Sequence, residues 1–362
     1  MKKILVVFGT RPEAIKMCPL VLALKKEPSF KTIVCVTGQH REMLDQVLGF
    51  FKVAPDYDLF VMRERQTLFD ITAKAMEGLR GVYEKEAPDA VLVHGDTPTT
   101  FAASLTAFYM KIPVGHVEAG LRTYDLYAPF PEEFDRQATG LIAKWHFAPT
   151  EHAKSNLLKE GKDPHTVYVT GNTVIDAIRL TTGSGFSDGA LEWAQGSRMV
   201  LLTAHRRENW GEPLERIFRG VRRAVDETPD VKVLFPVHHN PVVRRAAELL
   251  QGCSRIRLIK PVDVMTFHNY IARCHMILTD SGGIQEEASA FGKPVLVLRD
   301  VTERPEGVEA GTLKVVGTDE NTVYESFLQL LSDHEAYARM SRAVSPYGDG
   351  YACERIVKVL LD

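Results

Sequence analysis

Short, unbroken apolar runs rich in β-branched residues recur along the chain between stretches of helical periodicity. They are Ile4–Phe8, Thr32–Thr37, Ala90–His94, Ile112–Val117 and Val167–Thr170, then Met199–Thr203, Val231–Val237, Ile256–Lys260, Met276–Thr279 and Val295–Leu298. A strand that is apolar at every position must be covered on both faces, and strands that alternate with helices achieve this as parallel sheets. The runs fall into two groups, and 362 residues are enough for two separate cores. The polar, glycine-rich stretch Thr181–Gly189 lies between the groups and reads as a linker or exposed loop. Its Gly183-Ser184-Gly185 spacing is not a dinucleotide fingerprint, because it follows a helical pattern and the third glycine is misplaced. A second break, Ser345–Gly350, precedes an amphipathic stretch, Tyr351–Leu361, that reads as a separate last helix.

Composition narrows the partners. Hydrophobic residues make up 45% and charged residues 25%, as in a soluble globular protein, and a formal charge of −3 gives a polyanion such as DNA no track to follow. An anionic ligand must therefore meet a local cluster. The five cysteines are scattered, odd in number and without a Cys-x-x-Cys pair, so they read as small buried hydrophobes in a reducing compartment. The apolar start Met1–Phe8 is interrupted by Gly9, Arg11, Glu13 and Lys16 too early for a signal peptide. No segment reaches the roughly 18 apolar residues of a membrane span. A cytoplasmic protein is the expectation.

In open α/β sheets ligands bind beyond the carboxyl ends of the strands, and here the residues just past those ends are polar. After the first strand, Thr10 and Glu13 fit a capping box with Pro12 in the first helical turn, which sets Arg11 and Lys16 near a helix amino terminus suited to phosphate. After Ala90–His94 comes Gly95-Asp96-Thr97-Pro98, with Thr97 as cap and Asp96 at the strand end; turn chemistry explains that aspartate equally well. Strand Ile112–Val117 ends in Glu118, a second carboxylate at the same sheet edge. In Pro129-Phe130-Pro131-Glu132-Glu133 a stiff loop delivers Glu132 or Glu133 at a helix start, and capping accounts for one of the two. Three acids thus collect in the first half.

The second half presents cations. His205-Arg206-Arg207 follows Met199–Thr203, and His238-His239-Asn240-Pro241 follows Val231–Val237. A lone histidine is more often structural, but beside arginines at this edge the functional reading is the better one. Asp280-Ser281-Gly282-Gly283-Ile284-Gln285-Glu286-Glu287 directly follows Met276–Thr279. Without bulky side chains, Ser281, Gly282 and Gly283 let a helix start present bare N–H groups to a pyrophosphate, and Glu287 is within reach of a ribose diol. Arg304 follows a further strand. No metal-ligand spacing occurs, and no Gly-x-Ser-x-Gly elbow follows an apolar strand, the match Gly185–Gly189 lying in the polar stretch between the two groups.

Gly9–Lys16, Gly95-Asp96-Thr97, His116–Arg122, Pro131-Glu132-Glu133, His205–Asn209 and Asp280–Glu287, in this order over nearly the whole chain, resemble the non-hydrolysing UDP-N-acetylglucosamine 2-epimerases. The resemblance implies an α/β fold of GT-B architecture, in which two facing Rossmann-like domains with parallel sheets enclose a cleft. Residues 1–170 would form the first domain, with 346–362 packing back on it, and 171–345 the UDP-binding second. It also implies a homodimer, no cofactor, no metal, and a product used in polysaccharide biosynthesis. By the same similarity Asp96, Glu118 and Glu132 would be the acid and base groups, with His205, Arg11, Lys16 and Arg304 lining the cleft. Ser281, Gly282, Gly283 and Glu287 would hold diphosphate and ribose, and Phe267 would lie against uracil. An allosteric second UDP-N-acetylglucosamine would be held by Gln39, His40, Glu42, Arg65, Arg206 and His238. Two residues depart from the family's pattern: Val262 stands where some members carry glutamine near uracil, and Asp135 where asparagine is common.

Chemistry agrees with the resemblance. C2 of the sugar carries no adjacent carbonyl, so its hydrogen is barely acidic, and oxidation at C3 would need a nicotinamide for which no fingerprint exists. Loss of UDP from C1 acidifies that hydrogen and needs a cationic cradle plus carboxylates, the constellation present here. A GT-B glycosyltransferase would share the cradle, and a sugar-nucleotide sensor would leave the acids without a role.

Overall fold

The computed structural model describes residues 1–38, 41–61, 66–183 and 185–362, the side chains of 41–43 excepted. Contacts divide the chain into two units, Met1–Arg179 with Gly348–Asp362, and Leu180–Tyr347.

In the first unit the elements run β1 (Lys2–Phe8), α1 (Arg11–Lys26), β2 (Phe30–Val36), α2 (Arg41–Phe51), β3 (Tyr57–Asp58), α3 (Leu68–Glu86), β4 (Ala90–His94), α4 (Pro98–Tyr109), β5 (Val114–Val117), α5 (Glu132–Ile142), β6 (Trp145–Ala148), α6 (Glu151–Lys159), β7 (Val167–Val169) and α7 (Thr173–Thr181). The seven strands are parallel in the order β3-β2-β1-β4-β5-β6-β7. Ile4, Val6 and Phe8 of β1 enter one core while Leu5 and Val7 enter the other, so a strand apolar throughout serves both faces of its sheet.

The second unit contains α8 (Gly189–Ala194), β8 (Arg198–Thr203), α9 (Glu212–Glu227), β9 (Val231–Pro236), α10 (Pro241–Ala247), β10 (Ile256–Ile259), α11 (Val264–Arg273), β11 (Met276–Thr279), α12 (Gly282–Ala290), β12 (Val295–Val297), α13 (Pro305–Glu309), β13 (Leu313–Val315), α14 (Glu320–Ser332) and α15 (His334–Arg342). Its six parallel strands are ordered β10-β9-β8-β11-β12-β13. Val200 and Leu202 face one core, Met199 and Leu201 the other.

The last helix, α16 (Ala352–Leu361), belongs to the first unit and packs on α1, with Cys353, Ile356 and Leu360 in the core that holds Met17 and Leu20. Asp176 of α7 caps it, accepting from Ala352 N at 3.1 Å and Cys353 N at 2.9 Å.

Each of the ten apolar runs forms a strand, trimmed or extended by up to two residues. Three further strands were absent from that reading: β3 has two residues, β6 (Trp-His-Phe-Ala) has no β-branched residue, and β13 has three residues. The stretch from Thr181 begins as the last residue of α7, and the unit boundary falls just before it.

Both sheets reverse their strand order at one point, between β1 and β4 in the first unit and between β8 and β11 in the second. There the connecting helices leave in opposite directions and open a crevice beyond the strand ends.

Candidate active site

Beyond the β1/β4 reversal of the first unit, Gly9 leads into α1. A Cβ at Gly9 would lie 2.1 Å from Thr37 Oγ1 and 2.5 Å from Thr99 Oγ1, so only glycine fits. The capping box forms, with Glu13 Oε2 accepting from Thr10 N at 2.7 Å and Gly9 N at 3.0 Å. Glu13 Oε1 also accepts from Thr97 Oγ1 at 2.8 Å and Thr100 Oγ1 at 3.3 Å, which ties α1 to the start of α4. Thr97 caps α4, as its position before Pro98 predicts.

Glu118 follows β5 with φ of +62°, a left-handed conformation that is uncommon for a residue with a side chain and that clusters at functional sites. Its Oε2 is ion-paired with Lys16 Nζ, accepts from Asn172 Nδ2 at 3.0 Å, and lies 3.6 Å from His94 Nε2. Burial opposes its charge, yet Lys16 and His94 outweigh burial and hold the carboxyl well below its usual range. Lys16, expected against the diphosphate, thus has its ammonium on Glu118. Gly95, at φ +66°, passes close to the same group: a Cβ there would lie 3.7 Å from Glu118 Oε1.

Asp96 is in the opposite environment. Burial raises its pKa, the Arg136 guanidinium at 2.7 Å opposes that rise, and Glu118 adds to it. Of the two acids at the start of α5, Glu133 is the structural one, fully buried and accepting from Thr123 N at 3.0 Å, Tyr124 N at 3.1 Å and Gln137 Nε2 at 2.7 Å. Glu132 keeps a buried Oε2 without a hydrogen-bond partner among the described residues. Asp135, one turn on, is 4% exposed, and burial, Asp96 and Glu132 together push its carboxyl up to about 7. His116 is structural: its Nε2 meets Gly95 O at 2.7 Å, and burial lowers its pKa to about 3.

Beyond the β8/β11 reversal of the second unit, Ser281 is the N-cap residue of α12 and uses no side-chain cap. The N–H of Ser281 is donated to Thr279 Oγ1 at 3.0 Å, the first turn has no side-chain cap, and two guanidinium groups lie beside it. A Cβ on Gly282 would lie 3.8 Å from Arg304 and 3.9 Å from Arg206. Arg304 is itself held by an ion pair with buried Glu286. His205 lies at the same edge, its ring stacked on His238 at 5.5 Å between centroids and 19° between planes. Burial lowers its pKa, with Asp280 opposing. Glu287 lies under Gly283, and its Oε2 is 3.6 Å from Nε2 of buried His268, whose Nδ1 is 2.7 Å from Thr181 Oγ1. Phe267 and Val262 both pack, partly buried, against the core that holds Tyr270 and Ile271.

The structure thus gathers Asp96, Glu118, Glu132 and Lys16 within the first unit, where Arg11 opens α1. Within the second it gathers His205, Arg206, His238, Ser281, Gly282, Gly283, Glu287 and Arg304. Gln39, His40 and Arg65, and the side chain of Glu42, lie outside the described residues. Sequence reasoning missed Arg136, Asn172 and His94 as partners of the acids. Asn172 had a signal, since it follows a strand end as Asp96 does. Arg136 had none, because its reach from α5 to Asp96 is tertiary.

A family model for UDP-N-acetylglucosamine 2-epimerase matches residues 22–361. The UDP-N-acetylglucosamine 2-epimerase of Bacillus subtilis strain 168 is 59% identical over 360 residues, covering 99% of this chain and 95% of that protein. The Neisseria meningitidis UDP-GlcNAc 2-epimerase bound to UDP-GlcNAc superposes with a TM-score of 0.89 at 49% identity, covering 99% of each chain. An S. aureus protein solved with UDP superposes with a TM-score of 0.90 at 53% identity, covering 99% of this chain and 96% of its own. A two-unit α/β fold of GT-B type, acids at one sheet reversal, cations at the other and a match over nearly the whole length lead to one assignment: the chain belongs to the UDP-N-acetylglucosamine 2-epimerase family.

Proposed function

We propose that this chain inverts C2 of UDP-N-acetylglucosamine, reversibly giving UDP-N-acetylmannosamine, by eliminating UDP to a 2-acetamidoglucal and adding it back. The observation that carries the reading is the opposed pair at the β1/β4 sheet edge. Lys16 and His94 keep Glu118 a carboxylate, whereas burial favours the proton on Asp96. Two carboxyls whose surroundings separate their pKa values in this way suit one base and one acid. In the forward direction a carboxylate removes the C2 proton as the C1–O bond breaks and its electron pair leaves with UDP. A second carboxyl then protonates C2 on the other face while the diphosphate re-forms the bond to C1.

In the second unit, the Ser281 hydroxyl and the N–H groups at Gly282 and Gly283, with Arg206 and Arg304, would receive the diphosphate, and Glu287 the ribose diol. Arg11 and Lys16 would add positive charge, Phe267 would lie against uracil, and His205 would meet charge that grows on the leaving group. A second UDP-N-acetylglucosamine acting as effector through Gln39, His40, Glu42, Arg65, Arg206 and His238 belongs to the same proposal; Arg65→Ala should then turn sigmoidal velocity curves hyperbolic. Exposed Phe69, Phe108, Tyr109 and Leu141 support a homodimer, and five free cysteines support a cytoplasmic enzyme.

The test is to run purified enzyme, with no acceptor added, in deuterium oxide and to read C2 by NMR. Elimination predicts UDP-N-acetylmannosamine with deuterium at C2 and recovered substrate that gains deuterium as the reaction reverses. Epimerisation without deuterium at C2 would overturn the solvent-exchanging form of the mechanism, and no epimerisation at all would overturn the function.

A further inference from the structure

β8 and β11 are neighbours in register, with Thr203 opposite Thr279, so the residues just past each strand emerge side by side. Asp280 emerges from β11 with no exposed surface, and His205 from β8 with its side chain 36% exposed. The two oxygens of Asp280 do different things. Oδ2 accepts from His205 N at 2.8 Å, Arg206 N at 2.8 Å and Asn209 Nδ2 at 3.1 Å, which shapes the turn after β8. Oδ1 is buried, makes no hydrogen bond among the described residues, and lies 3.3 Å from His205 Nδ1.

A turn-capping role accounts for Oδ2 alone. Oδ1 is left without a donor, and a proton on His205 Nδ1, 3.3 Å away, would supply one. We propose that Asp280 is a positioning residue for His205, holding the imidazole with its proton on Nδ1 so that Nε2 is the atom that hands a proton to the departing diphosphate oxygen and takes it back when the diphosphate re-adds to C1. Stacking on His238 fixes the ring plane. This extends the role given to His205 under the proposed function and rests on that reading for its catalytic consequence, though not for the tautomer itself. The charged groups facing His205 are Asp280 beyond β11, His238 beyond β9 and Arg206 next in the chain. Asp280 favours the imidazolium and the other two oppose it, so Asp280 also tunes where Nε2 titrates.

The three donors on Oδ2 make the proposal testable by a single atom change. In Asp280→Asn they retain the amide oxygen as their acceptor, which turns the amide NH2 toward His205 Nδ1 and demands the Nε2–H tautomer. The experiment is 15N NMR of the full-length chain labelled at histidine, with the His205 resonances identified by their loss in His205→Asn. The expected result is Nδ1–H with a bare Nε2 in the wild type above the His205 pKa. In Asp280→Asn the tautomer should invert and His205 should titrate at lower pH, with kcat lower by about a hundredfold or more and KM little changed. An Nε2–H tautomer in the wild type overturns the proposal without any variant, so a misfolded Asp280→Asn cannot rescue or obscure it. An inverted tautomer with unchanged kcat supports the positioning and overturns the catalytic role of His205.

Discussion

At the residue scale, the site is a set of carboxyls sorted by their neighbours. Asp96→Asn, Glu118→Gln and Glu132→Gln are each expected to lower turnover by at least about a hundredfold while UDP affinity stays near the wild-type value, measured by initial rates and titration calorimetry. Near-normal turnover in all three would remove them from the chemistry. Asp135 gives a prediction with a sign. Its folded carboxyl titrates at about 7, above the ordinary value of 3.8, so between those pH values the folded chain holds a proton that the unfolded chain releases. Stability therefore falls as pH rises through this window. Asp135→Asn, which restores the residue common in the resembled family, should match the wild type near pH 4 and exceed it at pH 8 by a few kcal/mol, or about 4 at most. Urea unfolding at both values checks this, and an equal gain at both would show that Asp135 does not titrate there. The acids were legible because each ends a strand or starts a helix. The directions of their pKa shifts were not, because Lys16 and His94 reach Glu118, and Arg136 reaches Asp96, from elements distant in sequence.

At the scale of elements, capping chemistry was the most legible signal. Thr10 with Glu13 and Thr97 before Pro98 announced the starts of α1 and α4, and both caps form. That Glu13 also binds the start of α4 was not legible, since it depends on β1 pairing with β4 across more than eighty residues. The short strands β3 and β13 and the Trp-His-Phe-Ala strand β6 escaped because sheet neighbours, and not intrinsic propensity, make them strands. The start of α16 shows the same tertiary logic, with a cap supplied by Asp176 of α7 rather than by a residue of its own turn. Asp176→Ala leaves two N–H groups without their acceptor and should cost about 1–2 kcal/mol, with faster amide exchange at Ala352 and Cys353 than elsewhere in the first unit. Unchanged exchange there would mean that packing on α1 alone seats the helix.

At the scale of the whole molecule, the two groups of apolar runs fall one in each unit, and the break at Ser345–Gly350 marks where the chain re-enters the first unit. If Ser281, Gly282 and Gly283 receive the diphosphate, UDP at a hundred times its dissociation constant should stabilise the protein by about 2.7 kcal/mol. Amide exchange should slow most in the first turn of α12, and protection spread evenly over the chain would argue against that placement. The route of the chain has a further consequence, for synthesis. Residues Leu180–Tyr347 form one continuous unit, whereas the first unit is completed only by α16, which leaves the ribosome after all of them. Until then the core that holds Met17, Leu20 and Leu24 of α1 lacks Cys353, Ile356 and Leu360. The nascent chain thus carries an open apolar face at its older end while its younger half has every segment it needs, so the part made first is the part finished last.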